Sequence, residues 1–217
     1  MNRRREKTIT KALILASAVL LAASPFGMIG ALSQEPETLV LFGDSITARW
    51  PWYLFLSDYH VINEGLDGDT IQDLLDRIDP VIAHNPDRLF LMIGINDILV
   101  NYDGDASPEE HDAFMAAAQQ DYANLLDAIQ TGLPNTRVYV QSVLPLMWAD
   151  KNPAVRALNA FIEQACQERE LAFIPLYDLF TGKNGQLKKE FALDVVHLTD
   201  EGYLFWVNEI MPQVLEH

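Results

Sequence analysis

Five short apolar runs separated by stretches of helical period constrain this chain more than any other feature. They fall at Leu39 to Phe42, His60 to Asn63, Arg88 to Ile93, Arg137 to Val143 and Leu171 to Leu176. Leu39-Val40-Leu41-Phe42 and the run from Leu89 to Ile93 are continuously apolar, as buried strands are. Between the runs, Ile71, Leu74, Leu75 and Ile78 have helical spacing behind a cap at Asp69 or Thr70. A long helix is expected from about Pro108, with Tyr122, Leu125, Leu126 and Ile129 on one face and Gly132 as its stop. Another starts at Asn152-Pro153 and turns Val155, Leu158, Ile162 and Ala165 inward. A last helix runs from about Asp200 to Leu215 behind Thr199, and a short aromatic-rich one spans Ala48 to Leu56, interrupted near Pro51. Strands alternating with helices predict an α/β fold: a parallel sheet covered on both faces by right-handed crossovers.

All strands of a parallel sheet share one carboxyl edge, and ligands of such sheets bind there. The first strand ends in Gly43-Asp44-Ser45, the second at Glu64-Gly65 and the third in Gly94-Ile95-Asn96-Asp97. Ser45, Gly65 and Asn96 therefore fall along one edge by topology alone. Ser45 admits two readings, a nucleophile or, with Asp44, the cap of the next helix. A nucleophile needs a base, a group that orients the base and donors for the developing oxyanion. Of the histidines, His60 opens a strand, His84 and His111 have polar surroundings and His217 ends the chain. His197 follows a short apolar segment, precedes a helix start and has Asp194 three residues before it. In a turn, that spacing lets the carboxylate reach the imidazole Nδ1–H and leaves Nε2 facing a serine. The alternative is that Asp194 caps a local turn. Asn96 is either a turn residue or an amide donor to an oxyanion, and Gly65, without a side chain, lets its N–H approach a substrate. Trp50, Trp52, Tyr53, Met147 and Trp148 follow strand ends, where they either line an acyl or sugar pocket or pack in the core.

The N-terminus has a separate character. Arg3, Arg4, Arg5, Lys7 and Lys11 precede an apolar run from Ala12 that continues to Leu32, the form of a secretory signal. Ala31-Leu32-Ser33 suits cleavage before Gln34. An uncleaved anchor through residues 12–32 is the competing reading, because that stretch is long enough to cross a bilayer. The expected organisation is thus residues 1–33 as signal peptide or anchor and 34–217 as one domain, exported to the periplasm or beyond or held at the inner membrane. Removing residues 1–33 takes away five of the 15 basic residues and one of the 31 acidic ones, which leaves a net charge of about −20. Such a surface repels nucleic acid and polyanions, so a neutral or cationic small molecule is the easier partner. Cys166 is the one cysteine, so no intramolecular disulfide and no thiolate zinc site can form. Its place in an amphipathic helical pattern marks it as a small core residue.

Gly43-Asp44-Ser45-Ile46-Thr47, the Asn63-Glu64-Gly65 turn, Gly94-Ile95-Asn96-Asp97 and Asp194-Val195-Val196-His197 resemble the four sequence blocks of the SGNH (GDSL) hydrolases, in the family's order. The resemblance spans about residues 38 to 210. It implies a flavodoxin-like three-layer α/β/α sandwich with a five-stranded parallel sheet. It further implies Ser45 as nucleophile, His197 as base oriented by Asp194, and an oxyanion hole from the Ser45 and Gly65 N–H groups and the Asn96 side chain. The Gly-Xaa-Ser-Xaa-Gly elbow of α/β-hydrolases is absent, since position 47 is Thr. Gly65-Leu66-Asp67-Gly68-Asp69-Thr70 is similar to the Gly-Ile-Gly-Gly-Asp-Thr run of platelet-activating-factor-acetylhydrolase-like and carbohydrate acetylesterase branches, with Asp67 standing where those usually have Gly. The implied activity is that of an exported serine esterase, without metal or cofactor, acting on a small-molecule ester such as an O-acetylated saccharide. Trp50, Met147, Trp148 and Asp67 are its expected substrate contacts. A lysophospholipase or thioesterase would use the same mechanism; a non-catalytic carbohydrate-binding or cell-envelope module is the alternative from a different class.

Overall fold

A computed structural model describes residues 35–102 and 105–215, and the expected signal or anchor, residues 1–33, lies outside the described residues. Five strands, β1 (Thr38–Gly43), β2 (His60–Gly65), β3 (Arg88–Met92), β4 (Arg137–Gln141) and β5 (Ala172–Ile174), form one sheet in the order β2-β1-β3-β4-β5, with every pairing parallel. β1 and β3 lie inside the sheet and are almost wholly buried, which is why their sequences are unbroken apolar runs. Fully burying one such Leu or Phe side chain contributes roughly 1.5–3 kcal/mol.

The chain leaves β1 toward β2 on one side and then crosses to β3 on the other. The switch in direction therefore opens a crevice between the carboxyl ends of β1 and β3. Register sets the height of each turn, since Gly43 lies opposite Gly65 on one flank and Met92 on the other.

Helices α2 (Ile71–Asp76), α3 (Ile78–His84), α5 (Pro108–Gly132) and α6 (Asn152–Glu168) pack on one another on one face, as right-handed crossovers after β2, β3 and β4 require. On the other face, α8 (Asp200–Leu215) joins the β1–β2 connection, where Trp206 stacks on Trp50 at 5.1 Å and the Tyr203 hydroxyl donates to the Ile46 carbonyl at 2.9 Å. This is the expected three-layer sandwich. Among the described residues no helix is long and apolar enough to cross a membrane.

Local chemistry moved several expected boundaries. The aromatic-rich helix is replaced by α1 (Ser45–Ala48) and a 3₁₀ turn at Trp52–Leu54, with Pro51 between them. The helix expected through Ile78 breaks at Arg77, whose guanidinium reaches back to Asp69 and to the carbonyls of Gly43 and Glu64. The turn read at Gly94 to Asp97 opens a further helix, α4 (Ile95–Asn101), behind Gly94 at φ 122°. A short α7 (Tyr177–Phe180) follows β5, which ends at Ile174 rather than Leu176.

Candidate active site

In the first turn the capping falls to one residue and the placed hydroxyl to the next. The Asp44 side chain caps α1, accepting the Ile46 N–H at 2.9 Å. Ser45 is thereby set as the first residue of α1, buried but for 5% of its surface, with its hydroxyl oxygen 2.9 Å from His197 Nε2. His197 Nδ1 lies 2.7 Å from Asp194 Oδ2. The other oxygen of that carboxylate accepts the N–H groups of Val196 at 2.9 Å and His197 at 2.8 Å. One side chain thus closes the turn and contacts the ring.

Burial pushes the Asp194 carboxyl up, but the His197 and Val196 N–H groups and the His197 ring outweigh it and hold it at about 2. An ionised carboxylate only accepts, so His197 Nδ1 carries the proton and Nε2 is left to accept from the Ser45 hydroxyl. Chemically, this is an alcohol beside a base whose tautomer is fixed.

The oxyanion donors expected from sequence need one correction. Gly65 is not available as a donor: its N–H already donates to Asn63 Oδ1 at 2.9 Å. A β-carbon on Gly65 would stand 2.3 Å from the Ala48 nitrogen, so this glycine serves close backbone packing instead. Gly68 has the properties looked for at Gly65. Its φ is +89°, a β-carbon there would meet no atom within 4 Å, and its N–H has no partner among the described residues. The next residue, Asp69, accepts the Asn96 side-chain amide on its carbonyl at 2.8 Å, which brings Asn96 to this loop. The signal for Gly68 lies in the sequence, since an Asp-Gly pair marks a backbone of positive φ. The Ser45 N–H, at the first position of a helix, has no intrahelical acceptor.

The four expected substrate contacts part company. Trp50 does not line a pocket: it is 3% exposed and stacked on Trp206, because the chain turns inward at the end of α1. Trp148 is exposed and Met147 half-buried, and the Met147 N–H donates to the Val195 carbonyl at 2.9 Å, which seats this pair against the Asp194–His197 turn. Met147 also borders a cavity of about 650 Å³ walled by residues 181–184 and 186–190. Asp67 is exposed and engaged by Arg49 at 2.7 Å.

Two buried carboxyls stand behind the site. Burial pushes Asp44 up to about 7 against the Ile46 N–H, and Asp97 up to about 6 against the Ile71 N–H that it accepts at 3.1 Å.

The profile of the GDSL-like Lipase/Acylhydrolase family matches residues 41–204. An acetylxylan esterase of Geobacillus stearothermophilus is 25% identical over 165 residues, 71% of this chain and 71% of the relative. Platelet-activating factor acetylhydrolase IB subunit alpha2 of Rattus norvegicus is 26% identical over 197 residues, 84% of this chain and 79% of the relative. The crystal structure of a GDSL-like lipase from Bacteroides thetaiotaomicron shares the fold, with a TM-score of 0.70 at 23% identity over 83% of this chain and 91% of that one.

Proposed function

The chain belongs to the GDSL-like lipase/acylhydrolase family and hydrolyses esters of small molecules, and from that premise we propose that Ser45, His197 and Asp194 are its catalytic triad. The observation that carries this reading is the unbroken relay from Ser45 Oγ through His197, 2.9 Å and then 2.7 Å, to a carboxylate held at about 2.

His197 Nε2 takes the Ser45 proton as the serine oxygen attacks the ester carbonyl. The carbonyl electron pair moves onto oxygen, where the Ser45 and Gly68 N–H groups and the second amide hydrogen of Asn96 stabilise it. Collapse expels the alcohol, protonated by His197, and leaves an acyl-Ser45. His197 then deprotonates a water that releases the acid and restores the serine. Each oxyanion donor contributes about 10²–10³ in rate.

The substrate we propose is a short acyl ester, such as an O-acetyl group on a carbohydrate, and two relatives named for removing acetyl groups support it. Export, through residues 1–33 as signal or anchor, is part of the same proposal. The test compares p-nitrophenyl acetate, butyrate and octanoate with the wild type and Ser45→Ala. Acetate is expected to be turned over best and Ser45→Ala to lose roughly 10⁶-fold in kcat. An octanoate preference would overturn the acetyl reading in favour of a lysophospholipase or thioesterase, and an active Ser45→Ala would overturn the triad.

A further inference from the structure

The loop that carries Gly68 is held firmly at its feet, while its crest is spanned by one long backbone hydrogen bond, from the Asp69 N–H to the Leu66 carbonyl at 3.4 Å, and tied by one ion pair. At one foot, Leu66 N–H donates to the Gly43 carbonyl at 3.1 Å, and Arg77 binds the Gly43 and Glu64 carbonyls at 3.2 and 2.8 Å. At the other, Asp69 receives the Arg77 guanidinium at 2.6 Å and the Asn96 amide at 2.8 Å. Between them the long turn bond is the one backbone restraint across Gly68, where a β-carbon would meet no atom within 4 Å and a φ of +89° is one of several that glycine adopts freely. Among the described residues, the one side-chain contact of this crest is the ion pair from Asp67 Oδ2 to Arg49 Nη2, at 2.7 Å.

Arg49 is not an arbitrary anchor. It is the residue that closes α1, and its own N–H donates to the carbonyl of Ser45 at 3.1 Å. The pair therefore ties the crest to the short helix that bears the serine, and fixes one relative to the other.

We infer that the Arg49–Asp67 pair is a positioning device for the reaction, a salt-sensitive tether that holds the Gly68 N–H at its distance from Ser45. The inference rests on the assignment of Ser45 as nucleophile and Gly68 as oxyanion donor. A donor must be in place before charge develops, because only pre-set dipoles stabilise the transition state without first being reorganised. Both side chains are substantially exposed, 43% and 60%, so the tether is weak and screened by salt. Its removal lets the crest sample other backbone conformations and lowers the fraction of enzyme with the donor in place. The loss then falls on kcat, since substrate binds whether or not the donor is set.

The experiment uses the full chain, with Arg49→Gln, Asp67→Asn and the exchanged double variant Arg49→Asp/Asp67→Arg, on p-nitrophenyl acetate at low and high NaCl. Each single variant is expected to lose about two- to fivefold in kcat with KM and Tm unchanged, the range an exposed ion pair can supply. The exchanged variant is expected to regain most of the loss. Salt near 1 M should lower the wild-type kcat by a similar factor and leave the single variants flat. Wild-type kcat in both single variants, while Ser45→Ala is inactive, would overturn the tether and leave the triad standing. A loss confined to KM would overturn it too and make Arg49 a substrate contact. If Ser45→Ala still hydrolyses the ester, the assignment of the site falls and the tether with it.

Discussion

Replacing Asp44 by Asn probes the electrostatics directly beneath the candidate nucleophile. Asp44 is 1% exposed, and burial, opposed by the Ile46 N–H and aided by the nearby Asp97, Asp69 and Asp67, pushes its carboxyl from 3.8 up to about 7. A carboxyl with a higher pKa in the folded than in the unfolded protein keeps its proton on folding where the free chain has lost it. Its contribution to stability is therefore whole below 3.8 and is lost as pH rises toward 7. At about 1.36 kcal/mol per pH unit, that interval comes to roughly 4 kcal/mol. Asn keeps an oxygen for the Ile46 N–H and cannot ionise, but it buries two amide hydrogens where the neutral carboxyl buries one hydroxyl, and each hydrogen left without an acceptor costs about 1–3 kcal/mol. The two stability curves should then cross. Asp44→Asn is less stable than wild type by about 1–3 kcal/mol near pH 4 and more stable by a similar margin near pH 7. Repulsion among the excess carboxylates also weakens the fold as pH rises, so the quantity to read is the difference between the proteins in urea unfolding from pH 4 to 7. Parallel curves that never cross would refute the argument.

Three further outcomes are expected. Asn96→Ala removes one proposed oxyanion donor and should lower kcat by about 10²–10³ with little change in KM, read from steady-state ester hydrolysis. Gly65→Ala and Gly68→Ala should separate cleanly. The first drives a methyl group into the Ala48 backbone at 2.3 Å and lowers Tm with a backbone shift, whereas the second meets no neighbour, costs only the roughly 1–2 kcal/mol of strain at its φ of +89°, and lowers kcat beyond what that strain explains. The Cys166 thiol, fully buried and pushed up to about 11, should resist iodoacetamide at pH 8 in the folded protein and react fully in urea; modification of the folded protein would show the core to be open there.

The sheet and the edge that carries the candidate site were legible because they rest on patterns that one chain carries alone. Runs such as Leu89 to Ile93 are apolar for being buried on both faces, and parallel strands leave Ser45, Asn96 and the β2 turn no choice of edge. The Asp194–His197 turn was legible for the same reason, since three residues of spacing make both the turn and the ring contact. What depended on partners distant in the chain was not. The Asp67-Gly68 pair signals the positive φ of Gly68 locally, but no local pattern reports that Ala48 crowds Gly65. Trp50 is a core residue because α8 supplies Trp206 from far along the chain. The break between α2 and α3 follows from Arg77 finding carbonyls on β1 and β2, a long-range gain that outweighs local helical spacing.

The most direct measurement is covalent. The protein is treated with a fluorophosphonate, whose phosphorus is attacked by an activated serine with loss of fluoride, and the adduct is located by peptide mass spectrometry in wild type, Ser45→Ala and His197→Ala. One adduct per chain is expected, on Ser45, absent from Ser45→Ala and formed at least about 10²-fold more slowly in His197→Ala, where the proposed general base is gone. An adduct on another residue, or labelling of His197→Ala at the wild-type rate, would contradict the assignment of these residues as nucleophile and base.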